Sequence, residues 1–246
     1  MKRILKESWQ EQAPNWLRLA RRPAAGGDHH WDFNLPRFLE LLPSPGRQTV
    51  DIGCGEGRVA RELRALGHRV IGVDQSAELV AAAAEADPAS RYLVADAAAL
   101  PLADSSADLA IAFMSLQDID DLRGAIREIA RILEPGGRFC AAILHPLRTA
   151  GRLAGGPGEE RLVISESYFE PHPFMVSNER EGTTVEMWSE HRPLEHYLRA
   201  LEDVGFLVEA LREPVPGAEL VERPGGISPK WRRLPLFLHW RARLAR

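Results

Sequence analysis

The chain has 246 residues, 45% hydrophobic and 27% charged, a soluble balance that excludes a disordered or fibrous protein. Lys plus Arg number 31 against 35 Asp plus Glu, a formal net charge of -4, which argues against a general nucleic-acid binder. The 2 cysteines, Cys54 and Cys140, lie far apart in apolar surroundings and make neither a disulfide scaffold nor a structural zinc set.

No apolar run reaches the roughly 18 residues that a membrane helix needs. The early charges of Met1-Lys2-Arg3 have no apolar stretch behind them, so a secretory signal is not expected and a cytoplasmic protein is. Residues 1–46 read as an N-terminal helical cap. Trp9, Ala13, Trp16, Leu17 and Ala20 recur near helical spacing over 8–22, and Pro23-Ala-Ala-Gly-Gly breaks the pattern. A short helix over 35–42 ends at Pro43-Ser-Pro-Gly.

Residues 47–147 alternate strand and helix. Strands are predicted at 49–53, 68–74, 91–96, 109–114 and 138–144. Helices are predicted at 56–66, 77–86 and 122–133, with Gly67 stopping the first and Asp87-Pro88 the second. Such alternation implies a doubly wound α/β sheet with parallel strands and helices on both faces. Residues 148–192 interrupt it with glycine, proline and aromatic residues, as a lid or substrate cap would. A helix at 193–204 and two closing strands, 206–211 and 234–240, make up 193–246, with a long Pro/Gly-rich loop over 214–229. The whole reads as one domain.

The chemistry gathers at Val50-Asp51-Ile52-Gly53-Cys54-Gly55-Glu56-Gly57-Arg58, where a strand runs into a glycine loop and then a helix. Glycines let backbone approach a ligand closely, and the helix start offers free N–H groups. Gly55-x-Gly57-x-x-Ala60 also fits a dinucleotide fingerprint. Asp74 ends the second strand, where a carboxylate can accept from both hydroxyls of a ribose; NAD and S-adenosylmethionine fit it equally.

Ala95-Asp96-Ala97, then Leu100-Pro101-Leu102, Ser106-Ala107-Asp108-Leu109 and the helix exit Leu133-Glu-Pro-Gly-Gly137, follow in order. With these the sequence resembles the class I S-adenosylmethionine-dependent methyltransferases, in particular the subgroup that includes ubiquinone and menaquinone methyltransferases. The resemblance is strong over about residues 47–144. It implies a seven-stranded Rossmann-like sheet, order 3-2-1-4-5-7-6, with strand 7 antiparallel. It also implies that Gly53, Gly55 and Gly57 line the methionine part of S-adenosylmethionine, that Asp74 binds the ribose with Gln75 beside it, and that Asp96 and Ala97 meet the adenine. Met114 or Ser115 would sit below the sulfonium, and Asp51 would organise the loop.

Methyl transfer asks mainly for alignment; a base is needed only if the acceptor must lose a proton. His145, after the fifth strand, and His191, before Arg192-Pro193, are the catalytic candidates. Asp118 can face the substrate or cap the helix beginning near 120–121, and Tyr168 in the lid can contact substrate or pack. Trp31, a substrate-side candidate, can with His30 cover the carboxylate end of S-adenosylmethionine; Trp9 and Trp16 read first as packing, with a lid over the acceptor pocket as the functional alternative. The C-terminal basic run reads as a solvated strand and tail. No metal site is expected. The expected activity is methylation of a small-molecule acceptor, leaving S-adenosylhomocysteine, with no nucleic-acid partner. The alternatives are an S-adenosylmethionine-binding protein without methyl transfer and an NAD-dependent oxidoreductase.

Overall fold

A computed structural model describes residues 4–20, 29–156, 158–180, 183–224 and 226–245. In chain order the core comprises β1 (Thr49–Ile52), α3 (Arg58–Ala65), β2 (Val70–Asp74), α4 (Ala77–Ala86), β3 (Arg91–Val94), β4 (Ala107–Phe113), α5 (Leu122–Ile132) and β5 (Leu133–Leu144). It is preceded by α1 (Ile4–Ala20) and α2 (Leu35–Leu39), with a single π-helical turn, His29–Asn34, before α2. After α6 (Pro146–Thr149) come β6 (Gly151–Ala154), β7 (Arg161–Ile164), β8 (His172–Arg180), β9 (Thr183–His191), α7 (Leu194–Glu202), β10 (Phe206–Arg212), α8 (Ala218–Glu222) and β11 (Phe237–Leu244).

The main sheet has the order β10-β11-β5-β4-β1-β2-β3. The five neighbouring strands β5-β4-β1-β2-β3 are parallel, and β11 runs antiparallel between β5 and β10. This is the expected seven-stranded arrangement, with the last strand reversed.

The pleat explains why nearly every residue of β4 and β5 is apolar. Ala110, Ala112, Phe139, Ala141 and Ile143 face one core, with α5 and α7. Leu109, Ile111, Cys140 and Ala142 face the other, with α2 and α3. A strand covered on both faces cannot alternate polar and apolar. Ser76 caps α4 through its Oγ, and Asp121 caps α5 through its carboxylate. Asp118 is therefore not that cap, a correction to the expectation above.

The lid region departs furthest from the sequence reading. Residues 148–192, for which the sequence predicts no strands, hold two antiparallel hairpins, β6–β7 and β8–β9. The loop expected over 214–229 contains α8, and the last strand begins three residues later than expected, at Phe237. Helix α1 lies across β9: Leu19, Val185 and Met187 are buried together, with Trp9 and Trp16 packed on them. The two indoles meet edge to face at 5.4 Å. The Trp188 N–H donates to Ser8 Oγ at 3.0 Å, which fixes the register of helix on hairpin. Among the described residues no helix is long and apolar enough to cross a membrane.

Candidate functional site

The carboxyl ends of β1 to β5 open on one cavity of about 1050 Å³, roofed by α1, β8 and β9. That volume is at the upper end for a small-ligand pocket and leaves room for two ligands.

At the end of β1 the chain turns at Gly53 with φ +72°, and a Cβ there would lie 2.4 Å from the Ser115 Cβ. Only glycine fits this position. Ser115 Oγ in turn donates to the Ile52 carbonyl at 2.6 Å, tying the ends of β1 and β4 together. Gly55 differs: its φ is +54° and a Cβ there would meet nothing within 4 Å. The open side of that residue is cavity. Its N–H donates to Asp74 Oδ2 at 2.9 Å, and Ser76 N–H donates to Asp74 Oδ1, also at 2.9 Å. Burial holds the Asp74 carboxyl above its ordinary range, against the pull of those backbone donors.

Asp51 is buried beneath the loop, and its Oδ2 has no hydrogen-bond partner. Burial first, then the charges of Asp74 and Glu56, push its pKa up to about 7. Buried carboxylates with an unmet oxygen are costly and mark a place where a cation or donor belongs. Gln75, Asp96 and Ala97 continue the same wall along β2 and β3. Asp96 is exposed and its Oδ1 accepts from Ala98 N–H; Lys6 Nζ from α1 stands 4.0 Å from Oδ2.

At the end of β4, Met114 adopts φ +60°, rare for a residue with a side chain. It is held from both sides: its N–H donates to Ala142 O at 2.8 Å, and Gln117 Nε2 donates to its carbonyl at 2.6 Å. Strain kept in place this way clusters at functional sites. Asp118 follows on a 3-10 turn, Leu116–Asp118, and lines the cavity. Ser189 Oγ donates to its Oδ1 at 2.5 Å. The buried Arg192 guanidinium grips Leu116 O at 3.0 Å and Ile119 O at 2.6 Å, so the turn is fixed on both flanks. Burial pushes the Asp118 pKa up to about 7, opposed by Ser189, by the nearby Trp9 indole and by Arg192. Trp9 Nε1 itself is buried without a well-formed hydrogen bond.

Neither catalytic histidine candidate lines this cavity. His145 caps α6: its Nδ1 accepts from Leu147 N–H at 3.1 Å, which leaves the proton on Nε2, 2.9 Å from Glu213 Oε1. His191 is fully buried, with Nδ1 2.6 Å from Thr149 Oγ1 and Nε2 2.9 Å from Tyr168 O. Burial lowers the pKa of both. Tyr168 lies away from the cavity as well, its hydroxyl accepting from Leu194 N–H at 3.3 Å. None of the three lines the cavity, which corrects their expected places at the substrate: His145 ties α6 to Glu213, and His191 and Tyr168 pack within the lid and against α7. Trp31 does line the cavity, with the Arg58 guanidinium 3.8 Å above its ring centroid.

The sequence does not disclose Gln117, Arg148 and Ser189 on the wall, and Trp9, for which packing is the first reading, lines it too. Arg58 carried a signal, since it directly follows Gly57. Ser189 carried none, because its role depends on a hairpin folding back over 71 residues onto Asp118.

Residues 50–141 match the family model described as a methyltransferase domain. A malonyl-[acyl-carrier protein] O-methyltransferase of Pectobacterium atrosepticum is 42% identical over 109 residues, 44% of this chain and 43% of that protein. A second, from Enterobacter lignolyticus, is 38% identical over 110 residues, 43% of this chain and 44% of that protein. The matches thus span less than half the length of these curated relatives. The crystal structure of an S-adenosylmethionine-dependent methyltransferase from Mesorhizobium loti superposes with a TM-score of 0.70 at 28% identity, covering 88% of this chain and 98% of that one.

Proposed function

We propose that this chain, which belongs to the class I S-adenosylmethionine-dependent methyltransferases, methylates a small-molecule acceptor and releases S-adenosylhomocysteine. The observation that carries the reading is the glycine loop at Gly53–Gly57. Its backbone is held by Asp74, the Cβ direction of Gly55 opens on the cavity, and an unmet Asp51 carboxylate lies beneath.

The wall fits the cofactor. Asp51, Asp74 and Asp96 supply acceptors and negative charge, and the loop supplies close backbone approach. Gly53, Gly55 and Gly57 would hold the methionine part, Asp74 and Gln75 the ribose, and Asp96 and Ala97 the adenine. When bound, S-adenosylmethionine supplies an electrophilic methyl group on a positively charged sulfur. Met114 and Ser115, rigidly set at the end of β4, shape the floor between that wall and the acceptor. The roof of α1 and β9 excludes water and orients the acceptor, which is where most of the acceleration comes from.

Where the acceptor must lose a proton, Asp118 is the group placed to take it. It faces the cavity, its turn is clamped, and its pKa of about 7 lets it hold or release a proton near neutrality. The named relatives act on a malonyl group carried by acyl-carrier protein. That supports an acceptor that is small in itself, free or carried.

The reading is tested by calorimetric titration with S-adenosylhomocysteine, and with NAD in parallel. We expect binding of the first alone, and an affinity about 10–100-fold weaker in Asp74→Ala, which strips an acceptor from a desolvated site. Binding of NAD without S-adenosylhomocysteine would overturn it.

A further inference from the structure

Arg148 stands on the side of the cavity beyond β5, one turn after Leu144. An apolar cluster of Trp231, Leu236 and Phe237, with Leu144 and Leu153 packed on it, lines the same cavity. Arg148 NH1 donates to the Gly151 carbonyl at 3.3 Å, and its guanidinium carbon lies 6.0 Å from the Trp231 ring centroid. Lys230 Nζ approaches the same ring at 5.1 Å. Burial pulls the Arg148 pKa down, and no acidic neighbour offsets the pull.

Four arginines elsewhere are each paired with a carboxylate, whereas Arg58 on the cavity wall is stacked on Trp31. Arg61 pairs with Glu56 at 2.9 Å, Arg64 with Asp87 at 2.5 Å, Arg131 with Glu128 at 2.8 Å, and Arg223 with Asp32. Among the described residues Arg148 has no carboxylate partner. A guanidinium carries five N–H donors in a planar fork, and a half-buried one without a counter-ion is costly to keep. The unmet donors are not sealed in protein, because the side chain forms part of the cavity wall.

We propose that Arg148 is the counter-ion of the methyl acceptor, binding a carboxylate or phosphate headgroup whose apolar body packs against Trp231, Leu236 and Phe237. The proposal rests on the methyltransferase reading and names the substrate class of that site. It also fits the layout of charge. The acidic residues Asp51, Asp74 and Asp96 lie along β1 to β3, where a cationic cofactor belongs, and Arg148 lies past β5. Arg148 takes the anion as a handle, away from the reacting atom.

The test is calorimetry on the full chain saturated with S-adenosylhomocysteine, using three probes: phenylacetate, phenyl phosphate and the neutral phenylacetamide. At least one anion should bind about tenfold or more tightly than the amide, and which of the two does so assigns carboxylate or phosphate. Arg148→Gln should abolish the preference, and Arg148→Lys should keep part of it, retaining charge but not the fork. Equal binding of amide and anions, no binding of either anion, or an anion preference unchanged in Arg148→Gln would each overturn the proposal. S-adenosylhomocysteine affinity is the control. If Arg148→Gln loses it through misfolding, the wild-type contrast between anion and amide and the Arg148→Lys variant still decide. If the wild type itself fails to bind S-adenosylhomocysteine, the methyltransferase reading falls instead, and an anion preference measured without it is then a separate result.

Discussion

The two walls of the cavity are built in opposite ways. On the β1–β3 side the chain meets the ligand with backbone: glycines in left-handed conformations, held by the Asp74 carboxylate two strand-ends away from β4. On the opposite side it meets the ligand with side chains, brought together from α1, β9, α6 and the segment around Trp231. Backbone geometry tolerates little substitution, because it depends on φ and on space for a Cβ. A side-chain wall can be rewritten residue by residue without disturbing the sheet beneath. One wall thus serves a constant ligand and the other a variable one.

The sharpest way to break this comparison is Gly53→Ala. The new Cβ would sit 2.4 Å from the Ser115 Cβ on a residue with φ +72°. Either the loop or the end of β4 must move. We expect S-adenosylhomocysteine affinity to fall on the order of 100-fold by calorimetry, and stability to drop by roughly 2–4 kcal/mol in urea titration. A variant that binds as the wild type does would show that the loop is not a rigid backbone cradle.

This difference also sets how much the sequence discloses. The backbone wall is local: Asp51 to Arg58 is one stretch, and Asp74 and Asp96 sit at strand ends that the apolar pattern locates. Alternation discloses the parallel sheet for the same reason, and the resemblance implies its strand order. The side-chain wall is non-local. Asp118 becomes a cavity residue because Ser189 and Trp9 reach it from a hairpin and from α1. His145 and His191 look catalytic in sequence because histidine often is, yet each is consumed by a partner that no spacing reveals: Glu213 for one, Thr149 and Tyr168 for the other. The β8–β9 hairpin was hidden because its strands carry mixed residues and stand outside the main sheet.

A second, smaller effect tests the side-chain wall through the pH dependence of Asp118. Burial holds Asp118 at about 7 in the folded chain against the ordinary 3.8. Between these values the folded state binds the proton more than the unfolded state does, so this group's contribution to stability falls as pH rises from 4 to 7 and is level above that. Asp118→Asn removes the dependence. Its stability relative to the wild type should therefore increase with pH over that window, by about 1–3 kcal/mol, and then stay constant. The same variant should lower kcat about 10–100-fold on an acceptor that loses a proton, while S-adenosylhomocysteine affinity stays within about twofold. A stability difference that is flat with pH would mean that Asp118 is not held protonated by burial.

The smallest effect probes the roof, which touches both walls. Ser8 Oγ accepts the Trp188 N–H, and this bond sets α1 on β9 above the cavity. Ser8→Ala leaves a partly buried N–H without its acceptor, at a cost of about 1 kcal/mol. Because α1 also packs through Leu19 and Trp16, the helix should stay docked but shift or loosen locally. If the roof orients the acceptor and the loop holds the cofactor, acceptor KM should rise about two- to fivefold, with S-adenosylhomocysteine affinity unchanged. Equal losses in both constants would merge the two walls into one unit, since Lys6 of the same helix reaches Asp96 on the cofactor side.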